Sequence, residues 1–327
     1  STILGSNGLE GCEHAFFEIL SNSIDESRAG YGKVIEVTRF SDRSIQVKDY
    51  GRGIPLDFNE KEGRYNWELV FCELYAGGKY HGNESDTYKF SLGLNGLGAC
   101  ATQCTSEYMD VEVARDGKLY SLHFEKGENV GGLLKIETTS KKTYSVQKWR
   151  PDLDVFTDIN IPLEFFTETL KRQAIVNAGL TFILYDETPE GTQKYEFCYP
   201  EGISGYVTEV ADGKNETSVQ YIEAERTGRD RADKEDYKVK MQAAFCFAPT
   251  NTMIEFYHNS SFLEYGGVHD AATKTAFVYA IDKYIKQTGK YSKNESKITF
   301  NDISDCLILV ISSFSTLVSY EHQTKKA

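Results

Sequence analysis

Three short segments carry residue types that could bind a nucleotide and activate water. Glu18, Asn22 and Glu26 are spaced four residues apart, so a helix would place their carboxylate and amide groups on one face. The segment 49–55, Asp-Tyr-Gly-Arg-Gly-Ile-Pro, joins an aspartate to two glycines that let the backbone approach a flat ligand. The segment 93–98, Gly-Leu-Asn-Gly-Leu-Gly, is typical of loops whose N–H groups hold polyphosphates. Their order predicts a nucleotide site with its own water-activating base.

The first group needs a helix, which we predict over 13–29. Phe16, Leu20 and Ile24 recur every four residues and can face a core, and Gly30 provides a stop. The polar stripe beside them has an alternative explanation, a solvated face with hydrogen bonds between residues four apart. Asparagine is a poor helix former in mid-helix, however, so a functional role would explain its presence.

Strands must carry the second segment. We predict strands over 34–40 and 44–48, so that Asp49 lies at a strand end, where it can accept a hydrogen bond from an exocyclic amine. A plain glycine turn is the alternative. A helix is predicted to begin after Gly98. Further strand-like runs predict antiparallel pairing with helices on one face, which favours an α/β sandwich over a doubly wound sheet: 109–114, 118–124 and 133–138.

The second half of the chain continues as alternating helices and strands. A mixed-charge run at 223–236 is predicted to be a solvated hairpin or loop. Helices are predicted over 164–178, over 202–210 and from about 269 to 287, and strands over 181–185, 194–198 and 238–247.

Composition narrows the classes of function. With 327 residues, 40% hydrophobic and 26% charged, the chain is long enough for two globular domains, and no apolar run is long enough to span a bilayer. A net charge of −13 argues against a surface that grips nucleic acid throughout, although a local basic patch stays open. The seven cysteines lack a Cys-x-x-Cys pair and are expected to be reduced thiols, buried or half-buried. Without an initiator Met, the chain is expected to be a fragment.

In this order the segments resemble the ATPase region of bacterial DNA gyrase B and topoisomerase IV B subunits, type IIA topoisomerases of the GHKL superfamily. The elements Gly266-Gly-Val-His269 and Gln323-Thr-Lys325 match this branch, so that the resemblance covers nearly the whole chain. It implies an α+β fold. A GHKL (Bergerat) α/β sandwich ATPase domain would occupy 1–212, followed by a ribosomal-protein-S5-like transducer domain over 213–327.

The resemblance implies ATP and Mg²⁺ as ligands and gives individual residues roles in hydrolysis. Glu18 would be the general base that polarises the attacking water, with His14 orienting it. Asn22 would ligate the Mg²⁺ that bridges the phosphates. Lys325, with Gln323 beside it, would reach the γ-phosphate from the second domain.

The resemblance also implies an adenine pocket. Asp49 would receive the adenine amino group, and the hydroxyl of Ser145 would hold a water bound to the base. Tyr144 stands where the family usually has glycine. The remaining nucleotide-binding residues would be Glu26, Arg52, Gly53, Ile54, Pro55, Gly78, Lys79, Tyr88, Gly93, Leu94, Asn95, Gly96, Leu97 and Gly98.

Partners follow from the same resemblance. ATP binding would form a homodimer through the ATPase domain and close a DNA entrance gate. The A subunit would bind a C-terminal part outside this chain, and a DNA segment would pass through the transducer cavity near Lys274, although an exposed solvated lysine is the simpler explanation of that residue. No membrane is involved, and the expected location is cytoplasmic and nucleoid-associated. The cleavage-associated metal-binding domain has no counterpart in the sequence, so the fragment is expected to hydrolyse ATP without cutting DNA.

Two alternatives stay open. A MutL-type mismatch-repair ATPase shares the base, the asparagine and the glycine loops, but the Gln323-Thr-Lys325 element disfavours it. A non-hydrolysing nucleotide-sensing module would result if Tyr144 obstructs the pocket. A kinase is weakly supported, because no phosphoacceptor-histidine domain precedes the fold.

Overall fold

The structure is a computed structural model that describes residues 4–74, 97–229, 232–233, 236–264 and 267–315. The chain divides into two compact units. Of the described residues, the first unit contains those up to 174 and 179–198, and the second contains 175–178 and those from 199 onward. Within these ranges, no helix combines the length and the apolar character needed to cross a membrane.

The first unit is built on a large twisted sheet. The strands of this unit are β1 (Val34–Arg39), β2 (Ile45–Asp49), β3 (Phe58–Asn59), β4 (Arg64–Tyr65), β5 (Ser106–Arg115), β6 (Lys118–Glu125), β7 (Glu128–Asn129), β8 (Leu134–Glu137), β9 (Tyr144–Pro151), β10 (Thr181–Thr188) and β11 (Gly191–Phe197). Nine of them form the sheet in the order β11-β10-β1-β2-β9-β5-β6-β7, with β8 beside β6, whereas β3 and β4 pair only with each other. Only the β1–β10 pair of this sheet is parallel among the described strands.

Helices cover one face of this sheet. They are α1 (Leu9–Arg28), α2 (Asn66–Phe71), α3 (Gly98–Cys104) and α4 (Leu163–Val176). Phe16, Leu20 and Ile24 of α1 are completely buried, which confirms the apolar stripe predicted from the sequence. Strands β2 and β9 alternate buried and half-buried residues, as expected when one face packs on helices and the other meets solvent. The predicted α/β sandwich with antiparallel pairing is confirmed.

The second unit has a five-stranded sheet with helices on both faces. Its elements are α5 (Gly202–Ala211), β12 (Gln220–Gly228), β13 (Tyr237–Phe247), β14 (Met253–His258), β15 (Ser261–Phe262), α6 (Gly267–Gln287), α7 (Phe300–Ser304) and β16 (Leu307–Ser315). The strand order is β12-β13-β16-β14-β15, and β14 runs parallel to β16. All nine residues of β16 are buried, so this strand is the centre of the second core.

Two further expectations concern the charged run and the boundary between the domains. The run 223–236 takes the hairpin form of the prediction: its residues up to Gly228 belong to β12, which is mostly exposed and pairs antiparallel with β13 along nine positions, and Glu223 and Lys240 form a 3.1 Å ion pair between the two strands. The compact units divide near residue 198, because α5 buries Ile203 and Val207 in the second core, and the domain bounds 1–212 and 213–327 stay a prediction.

One expectation, that for the thiols, needs correction. All seven cysteines are free, but Cys72, Cys104 and Cys198 are exposed, so the expectation of buried or half-buried thiols is wrong for these three. The spacing of the cysteines along the sequence does not reveal which of them lie at the surface.

Candidate functional site

Helix α1 connects the segments singled out in the sequence. Its Ser23 hydrogen-bonds to Asp49 at the end of β2, its Glu26 hydrogen-bonds to the loop that follows β2, and Glu18 contacts Gly98, the first residue of α3. The side chains that make these contacts lie beside the buried stripe of α1. The packing that fixes Phe16 and Leu20 therefore also fixes the direction in which these side chains point. A single helix therefore brings together residues 49–55 and the end of the glycine-rich segment.

Asp49 is the most strongly held carboxylate of the site. It ends β2, is only 7% exposed, and accepts hydrogen bonds from Ser23 Oγ at 2.6 Å and from the backbone N–H of Gly51 at 3.0 Å. Burial raises the pKa of Asp49 to about 6, and the nearby carboxylate of Glu26 adds to the rise, while the two hydrogen bonds oppose it. At neutral pH the group is mostly a carboxylate with lone pairs available for a ligand donor.

Glu26, whose contact with a nucleotide stays a prediction, holds the loop that follows β2. Its Oε1 accepts hydrogen bonds from the backbone N–H and from Nε of Arg52, at 3.0 and 2.8 Å, and its Oε2 accepts from Nη2 at 3.2 Å. The Arg52 guanidinium also lies 4.0 Å from the centre of the Tyr31 ring. A Cβ on Gly51 would come within 2.2 Å of Glu26 Cγ, so only glycine permits this approach. Glu26 thus fixes the loop, and the pair is half-buried.

On its other side, the loop that follows β2 packs against β5 and β9. The backbone N–H of Ile54 donates to Ser145 Oγ at 2.9 Å, and Arg115 Nη1 donates to the carbonyl of Gly53 at 2.7 Å. Gly53 has a φ of +89° and lies against β5, where an added Cβ would be 2.9 Å from the carbonyl of Ala114. Asp49 and Ser145 are direct register partners across β2 and β9. The loop, Asp49 and Ser145 therefore form one continuous wall.

The remaining polar residues of α1 lie toward the glycine-rich segment. Glu18 is half-buried and packs so closely on α3 that a Cβ on Gly98 would be 2.4 Å from its Oε2. Asn22, one turn further along, is exposed. His14 donates its Nδ1–H to the carbonyl of Leu4 at 2.8 Å, which anchors the start of the described chain to α1.

Tyr144 does not enter this wall. Successive residues of a strand point to opposite faces, and Tyr144 is directed away from the buried face that carries Ser145. Its hydroxyl donates to Glu112 Oε1 at 2.9 Å, and Lys48 Nζ lies 4.7 Å from its ring centre. The obstruction of the pocket that Tyr144 would cause in the nucleotide-sensing alternative is therefore absent.

Several predicted site residues lie outside the described residues: Gly78, Lys79, Tyr88, Gly93, Leu94, Asn95, Gly96, Gln323 and Lys325. Leu97 is buried immediately before α3, and Pro55 is half-buried after the loop. Lys274 on α6 is exposed and forms an ion pair of 2.9 Å with Asp270.

Sequence reasoning missed three residues that hold the site together. Ser23 bonds Asp49, Arg115 bonds Gly53, and Thr143 Oγ1 donates to the carbonyl of Gly51 at 2.5 Å. Ser23 had one signal in the sequence, because a serine in mid-helix beside an apolar stripe needs a partner. The other two gave no signal, since their contacts depend on strand pairing.

Comparison with known proteins finds relatives along nearly the whole chain. The family model described as DNA gyrase B matches residues 202–327. The B subunit of DNA gyrase from Mycoplasmoides gallisepticum is 32% identical over 333 residues, covering 98% of this chain and 50% of the relative. The B subunit of DNA gyrase from Thermotoga maritima is 32% identical over 324 residues, covering 98% of this chain and 50% of the relative. The chain spans about half the length of the curated relatives it matches.

Two solved structures extend the comparison to the fold. The 43K ATPase domain of Thermus thermophilus gyrase B, in complex with an aminocoumarin, superimposes with a TM-score of 0.73 at 27% identity, covering 95% of this chain and 77% of that one. The topoisomerase IV ATP-binding domain of Francisella tularensis, in complex with a small-molecule inhibitor, gives 0.70 at 27% identity, covering 96% and 80%.

Proposed function

Because this chain belongs to the family of DNA gyrase B and topoisomerase IV B subunits, we propose that its first unit binds ATP and hydrolyses it. One observation carries the proposal: α1 presents Glu18 beside Gly98 and, further along the same helix, supports Asp49 through Ser23 and Arg52 through Glu26. The same helix therefore orders a base-recognition wall and a carboxylate for water activation. This arrangement suits a nucleotide, which has a flat base at one end and phosphates at the other.

At the base end, Asp49 accepts a hydrogen bond from the 6-amino group of adenine. Its oxygens already receive one bond each from Ser23 and Gly51, which fixes their orientation and leaves lone pairs for the ligand. The loop from Arg52 to Pro55 covers the base, held by Glu26 on one side and Ser145 on the other. Because Asp49 is a charged and buried hydrogen-bond acceptor, the site selects a base that carries a hydrogen-bond donor at position 6.

At the phosphate end, Glu18 orients the attacking water and takes up its proton. Phosphoryl transfer to water depends mainly on positioning and charge neutralisation, so one well-placed carboxylate suffices for the protein's part. Asn22 fits a Mg²⁺ ion, because an exposed amide oxygen one turn from Glu18 is a hard ligand. No group of three candidate metal ligands occurs among the described residues, so Mg²⁺ would take its other ligands from phosphate and water and would neutralise phosphate charge. The proposed contacts of Gln323 and Lys325 with the γ-phosphate complete the site.

We further propose the wider role of the family for this chain. ATP binding would drive homodimerisation and close an entrance gate for DNA. The second unit would face the transported DNA, with Lys274 exchanging its partner Asp270 for phosphate, and an A subunit would be the partner protein. The location would be cytoplasmic.

Calorimetric titration with the β,γ-imido analogue of ATP, with and without Mg²⁺, tests the proposal directly. We expect saturable binding that Mg²⁺ strengthens, phosphate release from ATP in a separate assay, and a doubling of mass by light scattering when the analogue is present. Absence of binding would remove the proposed activity. Binding without phosphate release, at protein concentrations that give dimers, would instead leave a nucleotide-sensing role.

The contact between α3 and Glu18 predicts the effect of Gly98→Ala. The new methyl group would lie 2.4 Å from Glu18 Oε2 and 2.7 Å from Glu18 Cβ, so the carboxylate must move. We expect a loss of about tenfold or more in kcat, because catalytic groups tolerate little displacement, and a lower unfolding temperature from overpacking. Steady-state phosphate release and thermal unfolding measure both quantities.

The control for this substitution is Gly205→Ala, at a helical glycine of the second unit. The atom nearest to its added Cβ would be Glu201 Cβ at 3.3 Å, so a small shift of one side chain accommodates the methyl group. This variant should leave the rate of hydrolysis unchanged. An unchanged rate in Gly98→Ala would contradict the placement of Glu18.

The two faces of β9 predict opposite outcomes for neighbouring substitutions. Ser145→Ala removes the acceptor of the Ile54 N–H and should weaken binding of the ATP analogue about tenfold. Tyr144→Thr alters only the opposite face and should change the dissociation constant by less than about twofold. Calorimetry measures the dissociation constant of the ATP analogue for both variants. A gain in affinity from Tyr144→Thr would mean that the tyrosine does obstruct the pocket.

A further inference from the structure

Gln147 carries, on the site face of β9, a buried amide oxygen that has no hydrogen-bond partner in the part of the chain that the structure describes. The residue is 2% exposed, and its Oε1 accepts no hydrogen bond among the described residues. Buried polar atoms almost always find a partner in protein or water, so an exception beside a candidate site needs an explanation.

The sheet register places this amide next to Asp49. Residues two apart on a strand share a face, so Gln147 lies on the same buried face as Ser145. Ser145 pairs with Asp49, and Gln147 pairs with Val47. Gln147 is therefore the diagonal neighbour of Asp49, a relation in which backbone positions are roughly 7–8 Å apart. At this backbone separation, the acceptor atoms at the ends of the two side chains can both bond a single bridging water.

A water in that position would have a fixed polarity. It would donate one hydrogen to Asp49 and the other to Gln147 Oε1, which leaves only its lone pairs for a ligand. Such a water accepts a hydrogen bond and cannot donate one. It would favour a base with an amino group at position 6 and disfavour one with an oxo group or none.

We propose that Gln147 is a specificity-determining positioning residue for adenine, acting through one buried water that it holds together with Asp49. This inference rests on the proposed function and adds to it a selection step for the base. Asp49 takes one hydrogen of the 6-amino group, and the water held by Gln147 takes the other. Sequence reasoning did not single out Gln147, because its importance depends on its register with β2.

The test compares Gln147→Met with the unaltered chain and measures binding of two ligands by calorimetry. The ligands are the β,γ-imido analogues of ATP and of purine riboside triphosphate, which lacks the 6-amino group. Gln147→Met should weaken the ATP analogue about five- to tenfold and change the purine riboside analogue by less than about twofold. Gln46→Met is the matched control, because the same substitution is then made on the adjacent strand, at a half-buried position on the opposite face. It should change neither constant.

Other outcomes separate the ideas. An equal loss for both ligands would assign Gln147 to packing and overturn the inference. No loss for either would mean that its oxygen serves only an internal water, for example one bonded to the unpaired Nε1 of Trp149, and would also overturn it. If the unaltered chain binds neither ligand, the proposed function itself fails. Thermal unfolding checks that Gln147→Met folds, and Gln147→Leu provides a second variant for the same comparison.

Discussion

Glu18→Gln is expected to lower kcat for ATP hydrolysis by about 10²- to 10⁴-fold and to leave the affinity for the ATP analogue within about threefold. Glutamine keeps the shape of the side chain and its packing on Gly98, where an added Cβ would be only 2.4 Å from Glu18 Oε2. It cannot take up a proton, so only the activation of water is lost. A change confined to kcat identifies an interaction that operates in the transition state.

The matched control for this prediction lies on the same helix. Glu10→Gln removes an exposed carboxylate from the first turn of α1 and should leave kcat and affinity unchanged. Phosphate release under saturating ATP gives kcat, and calorimetry with the imido analogue gives affinity. A fall of less than about threefold in Glu18→Gln would show that another group activates the water. A parallel loss of affinity would instead indicate that the substitution disturbs α3.

The parts of the site that the sequence predicted are those set by local periodicity. The stripe of Phe16, Leu20 and Ile24 fixed the helix and the direction of its neighbours, and α1 differs from the prediction mainly by beginning at Leu9. The glycines of the loop were also informative, because the backbone at Gly51 approaches Glu26 so closely that no side chain fits there.

The parts that the sequence did not predict are set by pairing between distant segments. Glu26 is chemically able to contact a ligand, and only the fold reveals that Arg52 occupies both of its oxygens. The side of β9 on which Tyr144 lies depends on a register that one residue of slip would invert. For the charged run 223–236 the sequence left a hairpin or a loop open, and the pairing of β12 with β13 decides for the hairpin. Propensity cannot reveal such tertiary effects.

Asp49→Asn is expected to stabilise the unliganded chain and to weaken ATP binding about 100-fold. The carboxylate has a pKa of about 6 in the folded chain, against an ordinary value of 3.8, chiefly because it is buried. The folded state therefore binds the proton more tightly than the unfolded state does, and ionisation of Asp49 opposes folding. This penalty is absent below pH 3.8, grows as the pH rises toward 6 and is complete above it. A shift of this size corresponds to about 2–3 kcal/mol at about pH 8.

Asparagine removes the penalty but also removes the charged acceptor for the adenine amino group, an interaction worth about 1.5–3 kcal/mol. Thermal unfolding at about pH 8 should show Asp49→Asn melting several degrees above the unaltered chain without ligand, and this advantage should shrink as the pH falls through about 6. The ATP analogue should raise the unfolding temperature of the unaltered chain, less so at pH values below the pKa of Asp49, and should hardly move that of the variant. Asp305→Asn, an exposed position of the second unit, should behave like the unaltered chain. If Asp49→Asn instead melts lower in the alkaline buffer, the hydrogen bonds from Ser23 and Gly51 outweigh the burial of charge, and Asp49 is a structural residue first.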